Sequence, residues 1–129
     1  MLGKQQLVAF IATSQPASAR DFYAETLGLQ LVSDDPYALV FDANGTTIRI
    51  QKVEPFQPQQ FTAIGWTVEN IDEVVVELSQ RAVTFERFGG MDHDANGVWD
   101  SPSGARVAWF KDPDGNTLSL TQHPGHPPL

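Results

Sequence analysis

The chain contains no cysteine. That excludes disulfides, thiolate nucleophiles and thiolate metal sites together. Basic residues are scarce as well: 8 Lys and Arg stand against 16 Asp and Glu, a net charge of −8 at pH 7. Such a chain repels phosphate backbones and anionic membranes and has no basic stripe to release counterions, so no nucleic-acid or membrane partner is expected. Long apolar runs are also missing. The run near the N-terminus, Leu7 to Ala12, is shorter than a signal-peptide core, and a membrane span needs about 20 apolar residues. The expectation is a cytoplasmic protein. What remains, 41% apolar and 19% charged over 129 residues, is a folding composition and not a disordered one. The length suits one domain that buries roughly two-thirds of its unfolded surface.

Along the chain, residues 6–13 form an apolar run of strand length. A helix should follow, capped by Ser14, with Pro16 in the first turn, where a missing N–H costs nothing. Ala19, Phe22, Tyr23 and Leu27 give it an apolar stripe, and Gly28 is placed to end it with φ > 0. Strands are expected at Leu29–Ser33, Tyr37–Asp42 and Thr46–Val53, with turns at Asp34-Asp35-Pro36 and Ala43-Asn44-Gly45. Residues 54–60, with two prolines and no periodicity, read as a linker. The order then repeats. Phe61–Val68 is a strand, and Asn70 with Glu73 forms a capping box for a helix striped by Ile71, Val74, Val75 and Leu78. Thr84–Phe88, a short segment at Val98–Trp99, Ala105–Lys111 and Asn116–Thr121 complete the second set, with Asp112-Pro113-Asp114-Gly115 as a turn. Ala82 stands where glycine would normally end the second helix; if it takes φ > 0 the cost is on the order of 1 kcal/mol.

The two halves align directly. Asp42–Ile50 lies over Asp112–Leu120 at an offset of 70, whereas the first strands align at 55, so 15 extra residues fall between Glu86 and Ser103. Insertions collect in surface loops, so that segment is expected to be a longer loop or a lid. The pattern is α+β, with two βαβββ modules over 5–53 and 61–122 within a single domain spanning 1–129. The proline-rich tail, 123–129, should be irregular, with His123 and His126 in solvent.

The pieces Thr13-Ser14, Pro16, Phe22-Tyr23, Leu27-Gly28-Leu29 and Phe110-Lys-Asp-Pro-Asp-Gly-Asn116, in this order and spacing, resemble the vicinal oxygen chelate superfamily. That group includes glyoxalase I, bleomycin-resistance proteins and extradiol dioxygenases, and the resemblance runs over residues 7–122. It implies a curved four-stranded sheet per module, the two sheets pairing around a cup, and commonly a homodimer. In its enzymes a divalent metal in the cup chelates two adjacent substrate oxygens. Carried over residue by residue, the ligand positions fall on Val8, Arg49, Ala63 and Ser119. Val and Ala have no donor atom, Arg keeps its proton and offers no lone pair, and a neutral Ser is a poor ligand. No metal and no other cofactor is therefore expected.

Strand alternation places Leu7, Ala9, Ile11, Ile48, Ile50, Ile64, Trp66, Leu118 and Leu120 toward the helices. The opposite set is Val8, Phe10, Arg49, Gln51, Ala63, Gly65, Thr67, Ser119 and Thr121. Its mixture of aromatic, small and hydrogen-bonding side chains suits a pocket for a small organic ligand. Arg49 has two readings: a clamp for a carboxylate, phosphate or other oxyanion, or a residue with a structural part only, as one half of a salt bridge to a neighbouring carboxylate or as a rim residue. Gln51, Ser119 and Thr121 can orient a ligand by hydrogen bonds or simply be strand polarity. Trp99 and Trp109, with Tyr37, Phe41 and Phe88, can stack on a flat ligand or fill a small core. His93, in Met91-Asp92-His93-Asp94, is either a solvated loop residue or a lid residue that brings a polar contact or a proton. The leading expectation is a metal-free binding protein for a small organic molecule. The alternative is a glyoxalase- or dioxygenase-like enzyme, either with displaced metal ligands drawn from Asp92, His93 or Asp94 or with a metal-free mechanism. No nucleophile–base pair marks a reaction.

Overall fold

The run that opens the chain becomes strand β1, Val8–Thr13. It is followed by helix α1, Pro16–Asp21, which runs directly into a π-helical turn, Phe22–Thr26. Strands β2 (Gln30–Asp34), β3 (Ala38–Ala43) and β4 (Thr46–Lys52) complete a first set. Strand β5 (Thr62–Thr67), helix α2 (Ile71–Gln80) and strands β6 (Trp99–Asp100), β7 (Arg106–Lys111) and β8 (Thr117–Gln122) make a second. These elements come from a computed structural model that describes residues 1–125. His123, Pro124 and Gly125 are exposed and carry neither helix nor strand; the rest of the tail, with His126, lies outside the described residues. Among the described residues no helix is long and apolar enough to cross a membrane. The chain divides into two compact units, Met1–Pro58 and a second from Gln59 on.

Each unit holds one mixed sheet with the same strand order, β1-β4-β3-β2 in the first and β5-β8-β7-β6 in the second. In both, the first and last strands of the set run parallel and the remaining pairs antiparallel. The architecture is α+β. In the first unit Ile11, Leu39, Phe41, Ile48 and Ile50 are buried on one face, and Tyr23, fully buried, sets its ring 5.8 Å from that of Phe41. In the second, Leu118, Leu120, Ala108 and Phe110 are buried, as are Ile71, Val75 and Leu78 of α2. Alternation thus separates a buried face from an open one in each sheet. Leu7 departs from the expected pattern: it precedes β1 and is 72% exposed.

Local chemistry explains most boundaries. Asn44 (φ 49) and Gly45 (φ 90) both adopt positive φ, as a two-residue hairpin between β3 and β4 requires. Asn70 caps α2 as expected, its side chain accepting the Glu73 N–H at 3.2 Å. The α1 cap is shifted: Gln15, not Ser14, is the N-cap residue, and its N–H donates to Thr13 Oγ1 at 3.0 Å. At the end of α2, Ala82 takes φ 67. The Ala82 N–H reaches Ser79 O at 3.1 Å and the Val83 N–H reaches Leu78 O at 3.0 Å, the paired bonds of a Schellman motif with alanine in the left-handed place.

Thr84–Phe88 does not form a strand. Only Phe85 bridges β7, at Phe110, while β6 pairs with β7 at Arg106 and Val107. Both contacts use the outer edge of β7. In the first unit a single strand, β2, occupies the equivalent edge of β3. The extra residues of the second half therefore interrupt an edge strand and leave it as two fragments with a loop between them.

Candidate functional site

On the open face of the first sheet, cross-strand register makes a row of Phe10, Arg49 and Val40, since Arg49 pairs with both. Val8 and Gln51 lie two residues away on β1 and β4. Phe10 is 56% exposed and Val8 39% exposed, while Arg49 is half-buried. The salt-bridge reading of Arg49 fails, because among the described residues its guanidinium has neither ion pair nor hydrogen bond. Arg20 and Lys52 instead share Asp34, at 2.9 and 2.6 Å. Those contacts, with the Lys52 hydrogen bond foremost, hold the Asp34 carboxyl below its ordinary range. Asp35 is held low mainly by the Tyr37 N–H and then the Ala38 N–H; the charge of Arg49 reaches it only through space.

The open face of the second sheet is built differently. One row is Gly65, Ser119 and Trp109; the next is Thr67, Thr121, Val107 and Trp99. A side chain at Gly65 would run into Ser119 Oγ, so glycine leaves that hydroxyl its place on the face. Trp99 and Trp109 lie 6.0 Å apart, and Phe88 sets its ring edge-on to Trp109 at 5.3 Å. His93 joins the group, 6.2 Å from Trp109 and 6.1 Å from Phe88. The four rings form one partly exposed aromatic cluster. Beside it an open depression of about 390 Å³ is lined by Arg87, Phe88, Gly89, Met91, Asp92 and His93. Tyr37 and Phe41 take no part: Tyr37 is exposed in the first unit and Phe41 is buried in its core.

The inserted loop that carries Phe88 and His93 is braced. His93 Nδ1 meets Gly97 O at 2.8 Å, and Nε2 accepts the Phe88 N–H at 3.1 Å. With Nε2 accepting, Nδ1 is the donor to Gly97 O, and both ring nitrogens are engaged within the loop. Asp94 Oδ1 accepts from the N–H groups of Asn96 and Val98, and Arg87 Nη2 donates to Ala95 O. Gly97 (φ 92) is also required sterically, because a Cβ there would come within 2.9 Å of Phe85 Cβ. Arg106 then ties three segments together. It holds Asp72 at the start of α2 through two bonds of 2.6 and 3.1 Å, Asp100 of β6 at 3.0 Å and Asp94 of the loop at 3.5 Å. The Arg106 hydrogen bond is the main cause that keeps Asp72 below the usual carboxylate range, and Asp72 in turn raises Arg106. No sequence signal marks this residue, since Asp72 lies 34 positions away.

The chemistry at Val8, Arg49, Ala63 and Ser119 does not suit the divalent ion that the resemblance implies. Two of these side chains carry no donor, one is a cation and the last is a single neutral hydroxyl. Among the described residues no group of three or more His, Asp or Glu converges elsewhere.

These sheets occur in known proteins. A structure from Sphaerobacter thermophilus, a member of the glyoxalase/bleomycin resistance protein/dioxygenase superfamily, is 28% identical, covers 95% of this chain and 100% of its own, and superposes with a TM-score of 0.73. TnmS3, an antibiotic binding protein from Streptomyces sp. CB03234, is 24% identical over 95% of this chain and 98% of its own, with a TM-score of 0.72. A lactoylglutathione lyase from Agrobacterium tumefaciens shares the fold at 13% identity, over 92% and 93% of the two chains, with a TM-score of 0.71. No curated protein matches the sequence. The family model for the Glyoxalase/Bleomycin resistance protein/Dioxygenase superfamily matches residues 5–120, and the chain belongs to that superfamily.

Proposed function

We propose that this chain is a metal-free binding protein that holds a flat organic molecule against the open face of its second sheet. The observation that carries the reading is the cluster in which Phe88, His93 and Trp99 each set a ring 5.3 to 6.2 Å from that of Trp109, all four only partly covered. Aromatic faces with a few fixed polar groups are what a small-molecule site requires. Ser119, Thr121 and Thr67 supply hydroxyls on the same face. The likeness to an antibiotic binding protein supports this reading. Against the metal-dependent alternative, two of its three displaced ligands are engaged: His93 uses both ring nitrogens inside the loop, and Asp94 meets Arg106 and two backbone N–H groups.

The test is a thermal-shift and tryptophan-fluorescence titration of the chelated protein with flat aromatic compounds, repeated with Zn²⁺, Mn²⁺, Ni²⁺ and Fe²⁺. A ligand at 100 times its Kd adds about 2.7 kcal/mol to stability. The expected result is fluorescence quenching and a raised Tm without metal, with Trp109→Ala weakening binding about tenfold, the scale of one lost ring contact. A metal bound stoichiometrically that raises the Tm, or a Trp109→Ala variant of undiminished affinity, overturns the reading.

A further inference from the structure

Among the described residues, one charge of the first unit has no partner. Its ion pairs are spent on Asp34, which takes both Arg20 and Lys52. Asp35 and Asp42 are turned to turn amides: Asp35 Oδ1 accepts from Tyr37 and Ala38, at 2.7 and 2.9 Å, and Asp42 Oδ2 from Gly45 at 3.4 Å. Arg49 stands half-buried between Phe10 and Val40, its guanidinium with no ion pair or hydrogen bond among the described residues. A guanidinium offers five N–H donors in a planar fork and matches a carboxylate through two parallel bonds. Along β4 its same-face neighbours are the polar Thr47 and Gln51, but on β1 they are Phe10 and Val8, both exposed where strand residues facing only solvent would be polar.

We propose that Arg49, Phe10 and Val8 form an anchor for the carboxylate of an aromatic or otherwise apolar acid. The guanidinium takes the two oxygens, and the body of the acid lies along Phe10 and Val8. This rests on the reading that the chain binds organic molecules, and it names the chemical class that the first unit, taken by itself, would hold. A carboxylate fits better than a phosphate, because one fork satisfies both of its oxygens. A phosphate would keep oxygens unbonded against Val8, Val40 and Phe10.

The experiment compares 1-naphthoate with 1-naphthamide, and with inorganic phosphate, on the full chain and on Arg49→Gln and Arg49→Lys. Arginine side-chain and Phe10 amide resonances report the first unit. All three tryptophans, 66, 99 and 109, lie in the second unit, so fluorescence reports that sheet separately. Naphthoate should shift the Arg49 and Phe10 resonances and bind about 10- to 100-fold tighter than the amide, as a charge-assisted pair does. Arg49→Gln should erase that preference, and Arg49→Lys should keep part of it. Equal affinity for acid and amide, or an unchanged naphthoate affinity in Arg49→Gln, overturns the anchor. If neutral aromatics still quench tryptophan in that case, the wider binding reading survives. Phosphate binding as tightly as naphthoate also overturns the assignment to carboxylates. No response of either unit to any aromatic probe overturns both readings.

Discussion

Replacing Ala82 with glycine should stabilise the protein, although it removes an atom and adds no contact. Ala82 occupies the left-handed position of a Schellman motif, with φ 67 and both bonds of the motif in place. A Cβ in that conformation costs roughly 1–2 kcal/mol. Glycine gives back roughly 0.5–1 kcal/mol through the greater freedom of its unfolded chain. Ala82 is exposed, so losing its methyl forfeits little burial. The net expectation is a gain of about 0.5–1 kcal/mol. At about 2.1 cal/mol/K of unfolding entropy per residue, a chain of 129 residues turns that gain into a Tm rise of roughly 2–4 °C. Gly28 closes the first helical segment with φ 76, so Gly28→Ala should lower the Tm by a similar amount. The assay is thermal unfolding by far-UV circular dichroism, with urea midpoints as a check. A Tm that is unchanged or lower in Ala82→Gly refutes the argument, because the bonds of the motif do not depend on the side chain.

Two further outcomes follow from the loop. Gly97→Ala combines a positive φ with a close approach to Phe85. It should cost about 1–3 kcal/mol by urea denaturation and broaden the Trp99 environment in fluorescence. Arg106→Gln should lower the Tm modestly, since partly exposed ion pairs carry about 0.2–1 kcal/mol each. It should also flatten the acid limb of the stability curve. Asp72 is depressed in the fold mainly by Arg106. Its contribution is therefore complete above the ordinary carboxylate value of about 3.9 and is lost as pH falls through the lower folded value. Urea midpoints measured from about pH 6 to pH 2 should separate variant from parent, the difference shrinking at the acid end; a constant difference would mean that Arg106 acts only through packing.

Local signals carried the fold far. Asn44-Gly45 announces its hairpin because only a few residues tolerate two consecutive positive φ values. Asn70 announces α2 because a carbonyl side chain at that place answers an otherwise unpaired N–H. The repeated order of elements in the two halves anticipates two sheets of identical strand order. The failures are of another kind. Thr84–Phe88 has strand composition, but only Phe85 finds an edge, since the insertion gives the remainder of that edge to Trp99 and Asp100. The π-helical turn at Phe22–Thr26 leaves no mark on the spacing of apolar residues. At the candidate site, the mixed character of the open faces is readable from alternation. Which face Trp109 takes, and that His93 is a brace and not a free base, depends on partners across the sheet and within the loop. Arg106 illustrates the limit: its three carboxylates come from a helix, a loop and a strand.

The position of β1 has a consequence for handling the protein. It lies at one margin of its sheet and, among the described residues, pairs in that sheet with β4 alone. Its six residues, Val8-Ala-Phe-Ile-Ala-Thr13, include no charge, proline or glycine. That is the composition of a cross-β seed. When the first unit opens, this segment offers an unguarded backbone ladder to a second molecule. Irreversible loss on heating should therefore begin there, and a lysine at position 8 would act as a gatekeeper against it.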